Sequence, residues 1–200
     1  MPAASARRRR GRRIRPCERA RALAGCALTS QEITRQEFGE LLRSFESTAF
    51  RLEQQPVYAV DLDEHYEAFI ADRMEDPTGD PAFVDWLEYV SALTAAGRRM
   101  ERVRVQHDPP SDYHRYARWV GGWNVKAGEV IHYTTRDRAA EVGLLPAAGA
   151  DDWWLLDDAR LVVMEFDAAG VLTRMHLVTD DASLARARAH WELALRAVPS

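Results

Sequence analysis

Between Arg102 and His114 the chain concentrates side chains able to do chemistry: Arg102, Arg104, His107, Asp108, Ser111, Asp112, Tyr113 and His114. The run Arg102-Val103-Arg104-Val105 reads as a strand that turns its valines one way and its arginines the other. Pro109-Pro110 ends that strand. Ser111 is then a good N-cap, and Asp112 is favourable in a first helical turn. A strand end leading into a helix N-terminus is where α/β proteins place ligands, because free backbone N–H groups there hold an anion. The expected ligand-binding set is Arg102, Arg104, His107, Ser111, Asp112, Tyr113 and Arg136. The arginines would pair with an anionic group, and the Ser111 end of the helix would supply N–H donors. The plainer alternative is that Ser111 and Asp112 only cap a helix, Tyr113 and Tyr116 are core, and the histidines are solvated.

No complete catalytic motif can be assembled. Gly121-Gly122-Trp-Asn-Val-Lys126-Ala-Gly128 surrounds the chain's only lysine with glycines, but neither GxxxxGK[ST] nor GxGxxG is present. A serine hydrolase would want an elbow such as GxSxG, which is missing. There is no HExxH and no HxH, so no metal site and no cofactor are expected. The pairs Asp151-Asp152, Asp157-Asp158 and Asp180-Asp181 all fall where turns or caps are expected, and turn chemistry explains them. Trp153-Trp154 puts one indole on each face of a strand. One is expected in the core and the other at an interface, where exposed tryptophan is a frequent anchor.

The elements that must position these residues read as follows. Thr34 and Glu37 have capping-box spacing, Ile33 and Phe38 staple spacing, and Phe38, Leu41, Leu42 and Phe45 one apolar helical face. A strand over 49–54 alternates Phe50 and Leu52 with Arg51 and Glu53. A helix begins near Asp63. Another begins at Asp80-Pro81 and stops at Gly97. The strand over 102–107 is followed by a helix through Val120, closed by Gly121-Gly122, and by a strand over 129–135. A short helix over 136–142 stops at Gly143. Three strands near 153–156, 160–166 and 171–178 form a meander, and Asp180 or Asp181 caps a last helix. The expected fold is α+β: a small mixed β-sheet with one βαβ unit and a C-terminal antiparallel meander, flanked by about five helices.

Charge divides the chain. Residues 1–27 hold nine arginines and one acid, a net +8, whereas the whole chain is −4. A basic arm over residues 1–30, read as disordered, thus precedes an acidic single globular domain over residues 33–199. The arm could bind nucleic acid, in which case log K should fall with log salt at a slope of about −8. A mistaken start codon would also produce such a run. Cys17 and Cys26 form neither a zinc set nor a disulfide framework, which fits a reducing cytoplasm. No run of about 18 apolar residues would span a membrane, and the arm lacks the apolar region of a secretory signal.

Six segments together resemble one family: QEFGELLRSFESTAFRLE, GRRMERVRV, SDYHRY, NVKAGEVIHYTTRDRA, DDWWLLDD and HWELALRA. They resemble the actinobacterial DUF6879 family, over roughly Thr34 to Pro199. Members often accompany small helix-turn-helix regulators, so the resemblance implies a regulatory or accessory role, with such a regulator as a possible partner. One departure is His132, where the family commonly has arginine. The order of elements after Arg99 is also similar to half of a phospholipase-D-like domain. Its catalytic form needs His-x-Lys-x-x-x-x-Asp, and the residue two before Lys126 is Asn124, so the catalytic pair is absent. The expected function is a non-enzymatic cytoplasmic module binding a small anionic ligand or a partner protein. The alternatives are a divergent hydrolase or transferase with its site at 102–115, and a nucleic-acid binder acting through the arm.

Overall fold

The structure, a computed structural model, describes residues 30–59 and 63–199. The basic arm lies outside these residues except for Ser30. The order of elements is β1 (Ser30–Glu32), α1 (Arg35–Ser44), β2 (Thr48–Glu53), α2 (Asp63–Ile70), a 3-10 turn (Pro77–Gly79), α3 (Pro81–Ala95), β3 (Arg99–Gln106), α4 (Asp112–Lys126), β4 (Val130–Thr135), α5 (Arg136–Glu141), β5 (Asp152–Leu156), β6 (Arg160–Phe166), β7 (Leu172–Val178) and α6 (Asp181–Ala197). The seven strands form one mixed sheet in the order β1-β7-β6-β5-β2-β3-β4. The β2–β3 and β3–β4 pairs are parallel; all others are antiparallel. The α+β architecture and the C-terminal meander agree with the sequence. There are two parallel connections, not one, because β2 also runs alongside β3 across α2 and α3.

Local chemistry sets the element ends. Glu37 N–H donates to Thr34 Oγ1 at 3.2 Å, while Thr34 N–H donates to Glu37 Oε2 at 2.7 Å, completing the capping box. Asp80 caps α3, with Pro81 in its first turn. Gly97, at φ +81°, ends α3 in a conformation that costs glycine little. The body starts earlier than the apolar pattern indicates: Ser30–Glu32 adds an edge strand to β7, through backbone bonds that leave no hydrophobic signature.

Alternation along each strand sorts the core into two layers. Phe50, Leu52, Val103, Val105, Trp153 and Leu155 face α5 and α6. Phe50 stacks on Trp191 at 4.7 Å between ring centroids. Ala49, Met100, Trp154, Leu156, Val162 and Met164 lie on the opposite face, under α1 and α3. Both indoles of the Trp153-Trp154 pair are therefore buried, and neither serves as the exposed anchor expected from the sequence.

Helix α4 does not close at Gly121-Gly122 but continues to Lys126. The two glycines differ in purpose. A Cβ on Gly121 would lie 3.2 Å from Tyr133 Oη, 3.3 Å from Ile131 Cδ1 and 3.5 Å from Arg104 Nη1, so the bare backbone lets α4 sit close on β3 and β4. A Cβ on Gly122 would meet nothing within 4 Å. Glycine signals a helix end only where nothing else rewards it mid-helix, and here close packing does.

Candidate functional site

Parallel pairing of β2 with β3 places Arg51 opposite Arg102 and Glu53 opposite Arg104. Antiparallel pairing with β5 sets Arg51 opposite Trp154. The polar faces of two alternating strands are thereby stacked side by side in the middle of the sheet, beneath helices. They form the floor of a cleft of about 440 Å³. Phe38 and Leu42 of α1 and Trp86 of α3 stand on one side, Tyr58 and Tyr113 on another, and Met164, Phe166 and Leu172 complete the wall.

The floor is an ion cluster centred on Glu53. Arg51 Nη1 lies 3.0 Å and Arg102 Nη1 3.1 Å from Glu53 Oε1, and Arg104 Nε donates to Glu53 Oε2. Arg102 Nε donates to Glu129 Oε1 at 2.6 Å. Arg104 Nη1 donates to the Ala117 carbonyl at 2.5 Å, tying the floor to α4. Burial opposes ionisation of Glu53, but the guanidinium groups of Arg104, Arg51 and Arg102 outweigh it and hold the carboxyl well below its usual range. Three cations thus meet two carboxylates in a desolvated place. Taking each ion out of water costs on the order of several kcal/mol, so such a cluster is a poor device for stability alone.

Two donors at this floor have no protein partner: Arg51 Nε and Trp154 Nε1. They are neighbours, with Arg51 Cζ 5.2 Å from the Trp154 ring centroid. Buried N–H groups left without an acceptor are costly, so each such group in a folded protein calls for an explanation. The walls are held by bonds of their own. Trp86 Nε1 donates to Asn124 Oδ1 at 2.7 Å. Tyr58 hydroxyl donates to Asp152, and its ring packs edge-on against Phe166 at 5.1 Å. Asp152 also accepts from Gln54 N–H at 2.9 Å. It is fully buried within β5, which corrects the reading of Asp151-Asp152 as turn chemistry. Burial, only partly offset by Arg51 and the Tyr58 bond, pushes its pKa up to about 6. The other two pairs do serve turns and caps: Asp157 and Asp158 take positive φ between β5 and β6, and Asp180 caps α6.

The structure distributes the sequence-derived residues among several places. Arg102, Arg104 and Tyr113 line the cleft. Burial raises the Tyr113 hydroxyl to about 12, so it stays protonated. Ser111 Oγ caps α4 by accepting from His114 N–H at 3.2 Å, and Asp112 pairs with Arg115 on the surface. His107 is exposed in a separate hollow of about 210 Å³ at the end of β3. His114 is buried, with Nε2 3.4 Å from the Gln55 carbonyl, and burial lowers its pKa. Arg136 Nη1 reaches the Gln54 carbonyl at 3.4 Å. His132 lies opposite Val103, on the sheet face away from the cleft. Among the described residues, the histidine that meets a carboxylate is His176, 3.1 Å from Glu165. No group of three or more His, Cys, Asp or Glu among the described residues could hold a metal.

Sequence reasoning missed Arg51, Glu53, Tyr58, Trp86, Asn124 and Trp154. The first two were visible as the polar face of a strand, but only strand pairing shows that this face is covered. Another hollow, about 330 Å³ between β5–β6 and α6, sets Asp151, Ser183, Arg186 and His190 among alanine and aliphatic side chains, and none of the unpartnered buried atoms lies on its lining residues.

An arginine-floored cleft between a mixed sheet and its helices defines the kind of site. The chain belongs to the family described as a domain of unknown function (DUF6879), whose model matches residues 36–199. Among curated proteins none matches. NucT from Helicobacter pylori is similar in structure at a TM-score of 0.46 and 8% identity, over 86% of this chain and 97% of that one. No helix among the described residues is long and apolar enough to cross a membrane.

Proposed function

We propose that this chain is a non-enzymatic binding module whose cleft over Arg51, Arg102 and Arg104 receives a small anionic ligand. One observation carries the reading: three guanidinium groups converge beneath an accessible cleft, with two N–H donors there unspent. The cleft volume lies in the range of small-molecule sites, about 300–1,000 Å³. His107 and His114, whose ring centroids lie 6.1 Å apart, and His132 on the far face of the sheet are none of them paired with a carboxylate among the described residues, which supports binding over catalysis. Asn124, in the position where a phospholipase-D-like motif would need histidine, is bonded to Trp86. Lys126 sits over the Trp123 ring at 5.4 Å. A degenerate, binding-only relative of that domain fits these roles. A cytoplasmic accessory role beside a helix-turn-helix regulator rests on the family resemblance alone.

The test is native mass spectrometry of protein purified from its own cells, beside Leu172→Trp, which fills the cleft without touching its charges. Co-purification of an anion with the parent chain, lost in the variant at unchanged melting, is the expected result. Turnover of a metabolite that Ser111→Ala or His107→Ala abolishes without changing melting would place the chain among enzymes instead.

A further inference from the structure

The chemistry of the cleft narrows the ligand, given the binding reading above. We infer that the cleft takes a small carboxylic acid with an aromatic body, its carboxylate bonded by Arg51 Nε and Trp154 Nε1.

Four features lead there. Of the buried, unpartnered atoms, the two on residues that line the cleft are both donors, so what satisfies them must accept; the unpaired Glu129 Oε2 belongs to the cluster but not to the lining. The two donors are adjacent, which suits the two oxygens of one planar head group better than two separate ligands. The charge balance of the floor favours a single negative charge. Arg51, Arg102 and Arg104, with Arg35 also lining the cleft, are opposed by Glu53, by Glu129, which is buried behind Arg102, and by Asp152, whose charge acts on Arg51, leaving one positive charge over. A monoanion completes that balance, whereas a phosphate dianion would exceed it. Asp152 stands behind Tyr58, whose hydroxyl donates to it, and is near enough to Arg51 to count in that balance. Finally, the walls above the floor are rings and aliphatic chains: Phe38, Trp86, Phe166, Leu42 and Leu172. They offer faces and edges for an aromatic body, while the Tyr58 hydroxyl and the Asn124 side-chain oxygen are already engaged with Asp152 and Trp86. The volume of about 440 Å³ is at the small end for ligand sites and suits one or two fused rings.

The direct experiment is calorimetric titration of the full chain with 2-naphthoate, 2-naphthamide, naphthyl phosphate and inorganic phosphate. Naphthoate should bind, and the neutral amide should bind roughly tenfold or more weakly, since it forfeits a charge-assisted hydrogen bond. Trp154→Phe keeps the ring but loses Nε1–H. It should weaken naphthoate by roughly tenfold and the amide by less, since the amide offers one acceptor oxygen in place of a charged pair. Arg51→Lys should do the same, with circular dichroism confirming that both variants fold. Equal affinity for acid and amide overturns the inference. So does naphthyl or inorganic phosphate binding where naphthoate does not; that result would leave the cleft a binding site for a different anion. If no probe binds and the purified chain also carries no anion, the binding reading itself falls.

Discussion

Replacing Asp152 with asparagine tests the electrostatics of the cleft's back wall. Asp152 is fully buried, and its folded pKa stands near 6 against an ordinary 3.8. The sign follows from proton binding. Between these two values the folded chain holds a proton at Asp152 that the unfolded chain has released. Stability is therefore fully present below about 3.8 and declines as pH rises through about 6. A shift of roughly two units corresponds to about 3 kcal/mol at most. Asparagine is nearly isosteric. Its Oδ1 can still accept from Gln54 N–H, and its Nδ2 can donate to the Tyr58 oxygen, but it does not titrate. At pH 7 Asp152→Asn should equal or exceed the parent in stability, by up to about 3 kcal/mol. At pH 4 the two should converge. Urea unfolding followed by tryptophan fluorescence at several pH values measures this. A variant clearly less stable than the parent at pH 7, with the parent's pH slope intact, would show that the carboxylate is favoured when buried and refute the reasoning.

Other outcomes follow from single contacts. Glu53→Gln leaves three buried guanidinium groups around a neutral amide and should cost about 3–5 kcal/mol in urea unfolding; a loss under about 1 kcal/mol would mean water already screens the cluster. Asp157→Ala removes an acceptor for the N–H groups of Glu46, Ser47 and Thr48, at 2.7–3.1 Å, and the partner of Arg160. It should cost about 2 kcal/mol, with Asp157→Asn intermediate. The two glycines of α4 should diverge in thermal melts. Gly122→Ala should gain about 0.5–1 kcal/mol from helix propensity, whereas Gly121→Val should lose about 1–3 kcal/mol by forcing α4 off β4.

Much of the architecture was legible in the sequence because it is written locally. Thr34, Asp80, Ser111 and Asp180 are caps whose partners lie within three residues, and Phe50 and Leu52 alternate as a half-buried strand must. The cleft was only half legible. The opposition of Arg102 and Arg104 to the valines of β3 was visible, but their partner Glu53 lies about fifty residues earlier and meets them only through strand pairing. A strand reading Arg-Leu-Glu is indistinguishable, by pattern, from one with a solvated face. Asp152 was hidden for the same reason, since a pair of aspartates before Trp-Trp resembles any turn. Gly121 misled because its use is a contact with another element, which sequence spacing does not encode.

Strand β2 joins the parallel half of the sheet to its antiparallel half, and the cleft lies along that seam. Its walls are drawn from Arg35 at one extreme and Leu172 at the other. No contiguous stretch of the chain therefore contains the site, and neither half of the sheet, expressed alone, would keep it. Whatever occupies the cleft touches both halves at once, so its binding should tighten the whole body and register as a rise in global stability.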